Sequence, residues 1–150
     1  MNDGPILICY DDSTGARRAI EEAAKLLGPR RAVVLDVGPL LTTAESVAAL
    51  SSVVPGDAFE DMNTADALQR AKAGAEHARE AGFDAEPKVE LAEPAWQGIV
   101  AVASELDVAA IVLGSRGLSG VHEAVSGSTS HQVAAHASCP VLIVPHHDTK

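Results

Sequence analysis

Four short apolar runs punctuate the chain: "PILICY" (5–10), "AVVLDV" (32–37), "AAIVLG" (109–114) and "PVLIV" (140–144). Each has the length of a strand and is rich in Val, Ile and Leu. Nearly continuous apolar runs suit strands covered on both faces, as in a parallel sheet. A fifth segment, "AEPKVELAE" (85–93), alternates polar and apolar and contains Pro87. Proline lacks the N–H that a central ladder needs, so this segment reads as an edge strand.

Helical periodicity separates the runs. After Ser13 and Thr14, both capping residue types, Ala16, Ile20, Ala23, Ala24 and Leu27 share one face, and Gly28-Pro29 stops the helix. A second helix is expected over about 61–81, with Ala65, Leu68, Ala71, Ala75 and Ala78 inward and Gly82 at its end. A third starts near Pro94, a favoured first-turn residue, with Ile99, Val100, Ala103 and Leu106 on its buried stripe. A fourth runs from about 128 to 137, with Val133, Ala134 and Ala137 inward. The order β-α-β-α-β-α-β-α-β predicts an α/β fold with a parallel sheet and right-handed crossovers. Residues 38–60 carry no clean period; their apolar content suits a short helix, a lid or a partner-binding flap.

Composition adds bounds. The 150 residues suit one domain, with 146–150 as a tail. A domain of this size buries roughly 70% of its unfolded surface and needs no staples. The net charge of −10 argues against general binding to nucleic-acid phosphates or to an anionic membrane surface. It leaves room for a small anion, which backbone amides can hold. No apolar run has transmembrane length, and the opening "MNDGPILICYDDS" lacks a signal peptide's basic start, so a cytoplasmic location is expected. Cys9 and Cys139 have no metal-like spacing and read as two reduced, half-buried thiols.

The stretch "GSRGLSGVHEAVSGSTS" (114–130) changes the picture most. Gly114 ends a predicted strand; Gly127 and Ser128 open a predicted helix. A helix N-terminus presents unpaired N–H groups and the positive end of its dipole, which suits a phosphate. Glycines allow close backbone approach. Ser126, Ser128, Thr129 and Ser130 add hydroxyls, and Arg116 adds a charged donor. There is no "GK[ST]" and no compact G-x-G-x-x-G, so this is neither a P-loop nor the dinucleotide fingerprint.

The pattern G-x-x-G-x9-G-[S/T], followed by a helix and "SCPVLIVP", resembles the universal stress protein family, in its ATP-binding branch. "DDS" (11–13) after the first strand and "EPAWQGIVAVASELDVAAIVLGSRG" resemble that family as well. The similarity runs over nearly the whole chain and is weakest in 38–60, so 1–150 is identified as one such domain. The resemblance implies a Rossmann-like, adenine nucleotide alpha-hydrolase-like fold. Its five parallel strands run in the order 3-2-1-4-5, with helices on both faces. Strands 1 and 4 then adjoin where the order reverses, the place where open α/β sheets bind ligands.

By this resemblance the adenosine end of ATP (or of AMP or ADP) meets Cys9, Asp11, Val37, Leu113 and Gly114. Arg116, Gly117, Gly127, Ser128, Thr129 and Ser130 surround ribose and phosphates. Cys9 departs from the apolar or proline residue often found at its position. Asp11 either hydrogen-bonds the nucleoside or helps hold a phosphate-bound Mg²⁺; the sequence leaves both open. The resemblance also implies antiparallel pairing of strand 5 (Val141, Leu142, Ile143, Val144) across a two-fold axis, giving a homodimer. An apolar edge strand invites such pairing. The topology separates Cys9 from Cys139, so no disulfide is expected between them.

The implied function is a nucleotide-dependent regulator or sensor in the stress response. The alternatives are a nucleotide-free dimeric partner-binding protein and a slow ATP hydrolase. No catalytic residue is assigned: no base and nucleophile pair off, and no water-positioning residue is identifiable. His122 lies between the glycine halves, His131 and His136 lie in the fourth helix, and His146-His147 belong to the tail; each reads as a surface histidine rather than a metal ligand. A flavodoxin phosphate loop and a response-regulator receiver share single features only. The first wants more aromatics, and the second wants an Asp after strand 3 and a Lys after strand 5.

Overall fold

A computed structural model of the chain describes residues 2–38, 56–115 and 128–146. The elements are β1 (Ile6–Cys9), α1 (Thr14–Leu27), β2 (Arg31–Gly38), α2 (Gly56–Glu80), β3 (Asp84–Leu91), α3 (Ala95–Glu105), β4 (Ala110–Gly114), α4 (Thr129–His136) and β5 (Val141–Val144). The five strands form one parallel sheet in the order β3-β2-β1-β4-β5, as expected. Pro87 lies in the edge strand β3, opposite Val34.

Successive strand residues point to opposite faces. Ile6, Ile8, Tyr10, Val34 and Val112 join the helix-side cluster of Ala16, Ala19, Ile20, Ala75 and Ala78, from α1 and α2. Leu7, Cys9, Leu35, Ile111 and Leu113 pack with Ile99, Val102 and Val133, from α3 and α4. A strand covered on both sides has no polar face, which is why β1 and β4 read as unbroken apolar runs.

The caps of α1 follow the sequence. Ser13 Oγ accepts from the Ala16 amide at 3.1 Å, and Gly28 ends the helix at φ +68°. That left-handed conformation favours glycine. The expectations for α2 need correcting. It starts at Gly56, inside the segment assigned to 38–60, and residues 39–55 lie outside the described residues. Its inner stripe is Ala67, Ala71, Gly74, Ala75 and Ala78, while Ala65 and Leu68 face outward. Contact with the sheet is so close that only small residues fit beneath the helix, and Leu68 is turned about 100° from Ala67.

Smaller corrections concern the other helices. Pro94 is the cap residue before α3 rather than part of its first turn. The buried stripe there is Gly98, Ile99, Val102 and Ala103, with Val100 and Leu106 only half-buried. In α4 Val133 is buried, Ala137 just past the helix is half-buried, and Ala134 is exposed. A helix of 8 residues at the sheet margin covers it with a narrow stripe. Among the described residues no helix is long and apolar enough to cross a membrane.

Candidate functional site

The carboxyl ends of β1, β2 and β4 place the predicted residues. Cys9 is the last residue of β1, within the predicted run 5–10, and it is fully buried rather than half-buried. Burial, with a smaller contribution from the charge of Asp11, pushes its thiol up to about 12. Cys139 is half-buried as expected, and both cysteines are free. Val37 lies within β2 and packs on the α3 face. Leu113 and Gly114 end β4, and Gly114 pairs with Val144 of β5.

β1 and β4 are neighbours, in the register Ile8↔Val112. Continuing it puts Tyr10 level with Gly114, so Asp11 emerges beside the end of β4. The order reverses between these two strands, since their chain connections run to opposite edges. The crossover segments therefore part here, at the switch point where open α/β sheets take ligands.

The β1–α1 loop is held by side chains. Asp11 Oδ1 accepts from the Ser13 amide at 3.0 Å, leaving its other oxygen without a hydrogen bond in the turn. Asp12 takes the left-handed conformation, φ +66°. Its Oδ1 accepts from the buried Tyr10 hydroxyl at 2.9 Å and from the Arg17 guanidinium. The Arg17 bond first, then the Tyr10 bond, holds the Asp12 carboxyl below the usual carboxylate range.

After β4, α4 is capped by Ser128. Its Oγ accepts from the His131 amide at 3.3 Å and lies 3.3 Å from Ser130 Oγ. The first intrahelical bond runs from Gln132 N–H to Ser128 C=O. The Thr129 and Ser130 amides precede it, at the positive end of the helix dipole. This donor set fits an anion, and the Asp11 carboxylate after β1 fits a donor-bearing or cation-bound group. Arg116, Gly117, Gly127, His122 and His147 lie outside the described residues. Among the described residues no three His, Cys, Asp or Glu side chains cluster to hold a metal.

Sequence reasoning missed one group beside this site. Asp36 is 2% exposed, and Arg70 of α2 grips it with two bonds, Nε to Oδ2 at 2.7 Å and Nη2 to Oδ1 at 3.1 Å. Burial pushes the Asp36 carboxyl up, Arg70 pulls it back, and the charge of Asp11 adds to the rise. The available signal was a single acid inside the apolar run "AVVLDV". A charge there must be paired, but its partner is 34 residues away.

Comparison with known proteins follows the same lines. The chain matches the model of the universal stress protein family over residues 4–145. It is 34% identical over 149 residues to universal stress protein YxiE of Bacillus subtilis (strain 168), covering 93% of this chain and 97% of that protein. Its fold is similar to the solved structure of hypothetical protein MJ0577, with a TM-score of 0.77 at 20% identity over 99% of this chain and 100% of that one. It is also similar to a universal stress protein solved in complex with cAMP, with a TM-score of 0.64 at 22% identity over 98% and 100%. At such identities the two structures speak for the shared fold.

Proposed function

Because the chain belongs to the universal stress protein family, we propose that it is an ATP-binding regulator or sensor of the stress response, acting in the cytoplasm as a homodimer. One observation carries this reading. The Asp11 turn follows β1 and the Ser128-capped start of α4 follows β4, the two neighbouring strands between which the sheet order reverses, and this supports a shared site there. Such switch points are where open α/β sheets take nucleotides.

In this reading Cys9, Asp11, Val37, Leu113 and Gly114 meet the adenosine end. Ser128, Thr129 and Ser130 take the phosphates, together with Arg116, Gly117 and Gly127. The cAMP complex of a protein of this fold supports an adenine nucleotide as the ligand class. Asp11 either hydrogen-bonds the nucleoside or helps hold a phosphate-bound Mg²⁺, which would offset phosphate charge. The dimer forms through β5: Ile143 stands 37% exposed on a strand that has no sheet neighbour on one side among the described residues.

Thermal unfolding with and without ATP·Mg²⁺ tests the proposal. Ligand at about 100 times its Kd stabilises by about 2.7 kcal/mol. For a chain of this length that raises Tm by roughly 5–10 °C. Gly127→Val should abolish the shift, since a side chain there obstructs phosphate approach. No shift at millimolar ATP, AMP or ADP would refute the nucleotide reading.

A further inference from the structure

α4 offers the anion-fitting amides of the candidate site, yet little holds that helix in place. It has 8 residues, and Val133 is the only one of them that is buried. The side chains at its start bond only within the helix. Ser128 Oγ accepts from the His131 amide and lies beside Ser130 Oγ, and neither hydroxyl reaches another element among the described residues. At the far end a short link, 137–140, ties α4 to β5, which fixes a point but not a tilt. A helix seated on one side chain can pivot on it. Ser130 and His136 lie three residues to either side of Val133, about 4.5 Å along the axis. A displacement of the His136 end is therefore passed to the Ser130 end at about equal size and opposite sign. Anion binding tolerates little of this, because N–H···O distances span only about 2.7–3.2 Å.

One contact steadies the pivot. The His136 ring stacks on Trp96 of α3, with ring centroids 4.4 Å apart and planes 25° from parallel. His136 Nδ1 lies 2.8 Å from the Gln132 carbonyl oxygen. A carbonyl only accepts, so Nδ1 donates, and the ring is fixed to its own helix as well. Trp96 is half-buried against the cluster that holds Ile99 and Val133, which makes it a firm support. α4 also packs more extensively on α3 than on β5. His136 itself is exposed, so the stack adds little to the core; what it adds is a preferred ring geometry between two helices. We propose that Trp96 and His136 are positioning residues for the phosphate end of the site: their stack sets the tilt of α4, and with it the aim of the Thr129 and Ser130 amides. They act on phosphate binding and leave the nucleoside end, at β1 and β4, unchanged. This inference rests on the nucleotide reading above.

The test compares His136→Ala, which removes the stack, with His136→Phe, which keeps an aromatic face over Trp96. Position 136 is exposed at a helix end, so both variants should fold, and urea unfolding of the full chain checks this. ATP·Mg²⁺ and adenosine affinities are titrated by NMR chemical shifts. In His136→Ala the ATP·Mg²⁺ affinity should fall roughly three- to tenfold, a loss of the size that an aromatic pair contributes to an equilibrium. Adenosine affinity should stay at its wild-type value. His136→Phe should restore ATP·Mg²⁺ affinity. Against a Trp96→Leu background, His136→Ala should have no further effect, because the stack is already gone. Wild-type ATP·Mg²⁺ affinity in His136→Ala overturns the inference. An equal loss for adenosine also overturns it, since that marks general loosening, and so does His136→Phe binding as weakly as His136→Ala. If the wild type binds neither ligand, the nucleotide reading itself fails, and this inference with it.

Discussion

Gly74→Ala is the sharpest test of how α2 is seated over the site. A Cβ at position 74 would lie 2.6 and 2.7 Å from Cδ1 and Cγ of Tyr10 and 2.8 Å from Cγ1 of Val34. Atoms in real structures do not approach so closely, so something must move. Tyr10 is 2% exposed, and its hydroxyl is tied to Asp12 and Arg17, so the ring has no free rotamer to retreat into. Overpacking of this kind costs about 1–3 kcal/mol. Alanine recovers about 0.8–1.0 kcal/mol over glycine in a helix. The net loss should be about 0–2 kcal/mol, which lowers Tm by up to roughly 8 °C at this chain length. Urea unfolding should show a lower midpoint with an unchanged slope. In a Tyr10→Ala background the loss should shrink, because the ring contacts are gone and only the 2.8 Å contact with Val34 Cγ1 remains. A raised midpoint in the wild-type background would refute the packing argument. Because Tyr10 adjoins Asp11, the single variant should also weaken nucleotide binding, and the same titration reads both effects.

Three other outcomes follow from the geometry. Asp12 holds φ +66°, so Asp12→Ala should be less stable than Asp12→Gly by about 1 kcal/mol, measured by urea unfolding, because only glycine takes that conformation without cost. Of the two thiols, Cys9 is buried and pushed up to about 12, so Ellman's reagent at pH 8 should titrate one thiol per native chain, Cys139, and two after denaturation. Ile143→Asp places a charge on the exposed edge strand, and sedimentation equilibrium should show the proposed dimer dissociating while circular dichroism stays unchanged.

The fold was legible because its signals are local. Four apolar runs and one alternating run carry strand propensity in themselves, and Ser13, Gly28 and Ser128 mark helix ends through bonds to residues three or four positions away. The glycine and serine spacing after β4 marked one half of the candidate site, and "DDS" marked the other. Helix faces were less legible. Leu68 looks like a core residue by type, yet the α2–sheet contact is too close for it, and Ala67 and Gly74 lie inward instead. The sequence shows which residues are apolar, but the distance between two packed layers selects which of them fit.

Long-range pairs were not legible at all. Asp36 in a strand announces that a charge needs a partner, yet nothing local singles out Arg70 among the cations of the chain. Likewise, the sequence by itself determined that Asp11 follows a strand and that Ser128 caps a helix. Only the tertiary structure decided that they follow neighbouring strands, because that depends on β1 and β4 pairing side by side in register. Local chemistry sets the elements and their ends; sheet order and interlayer distance, which no short segment encodes, set what those ends face.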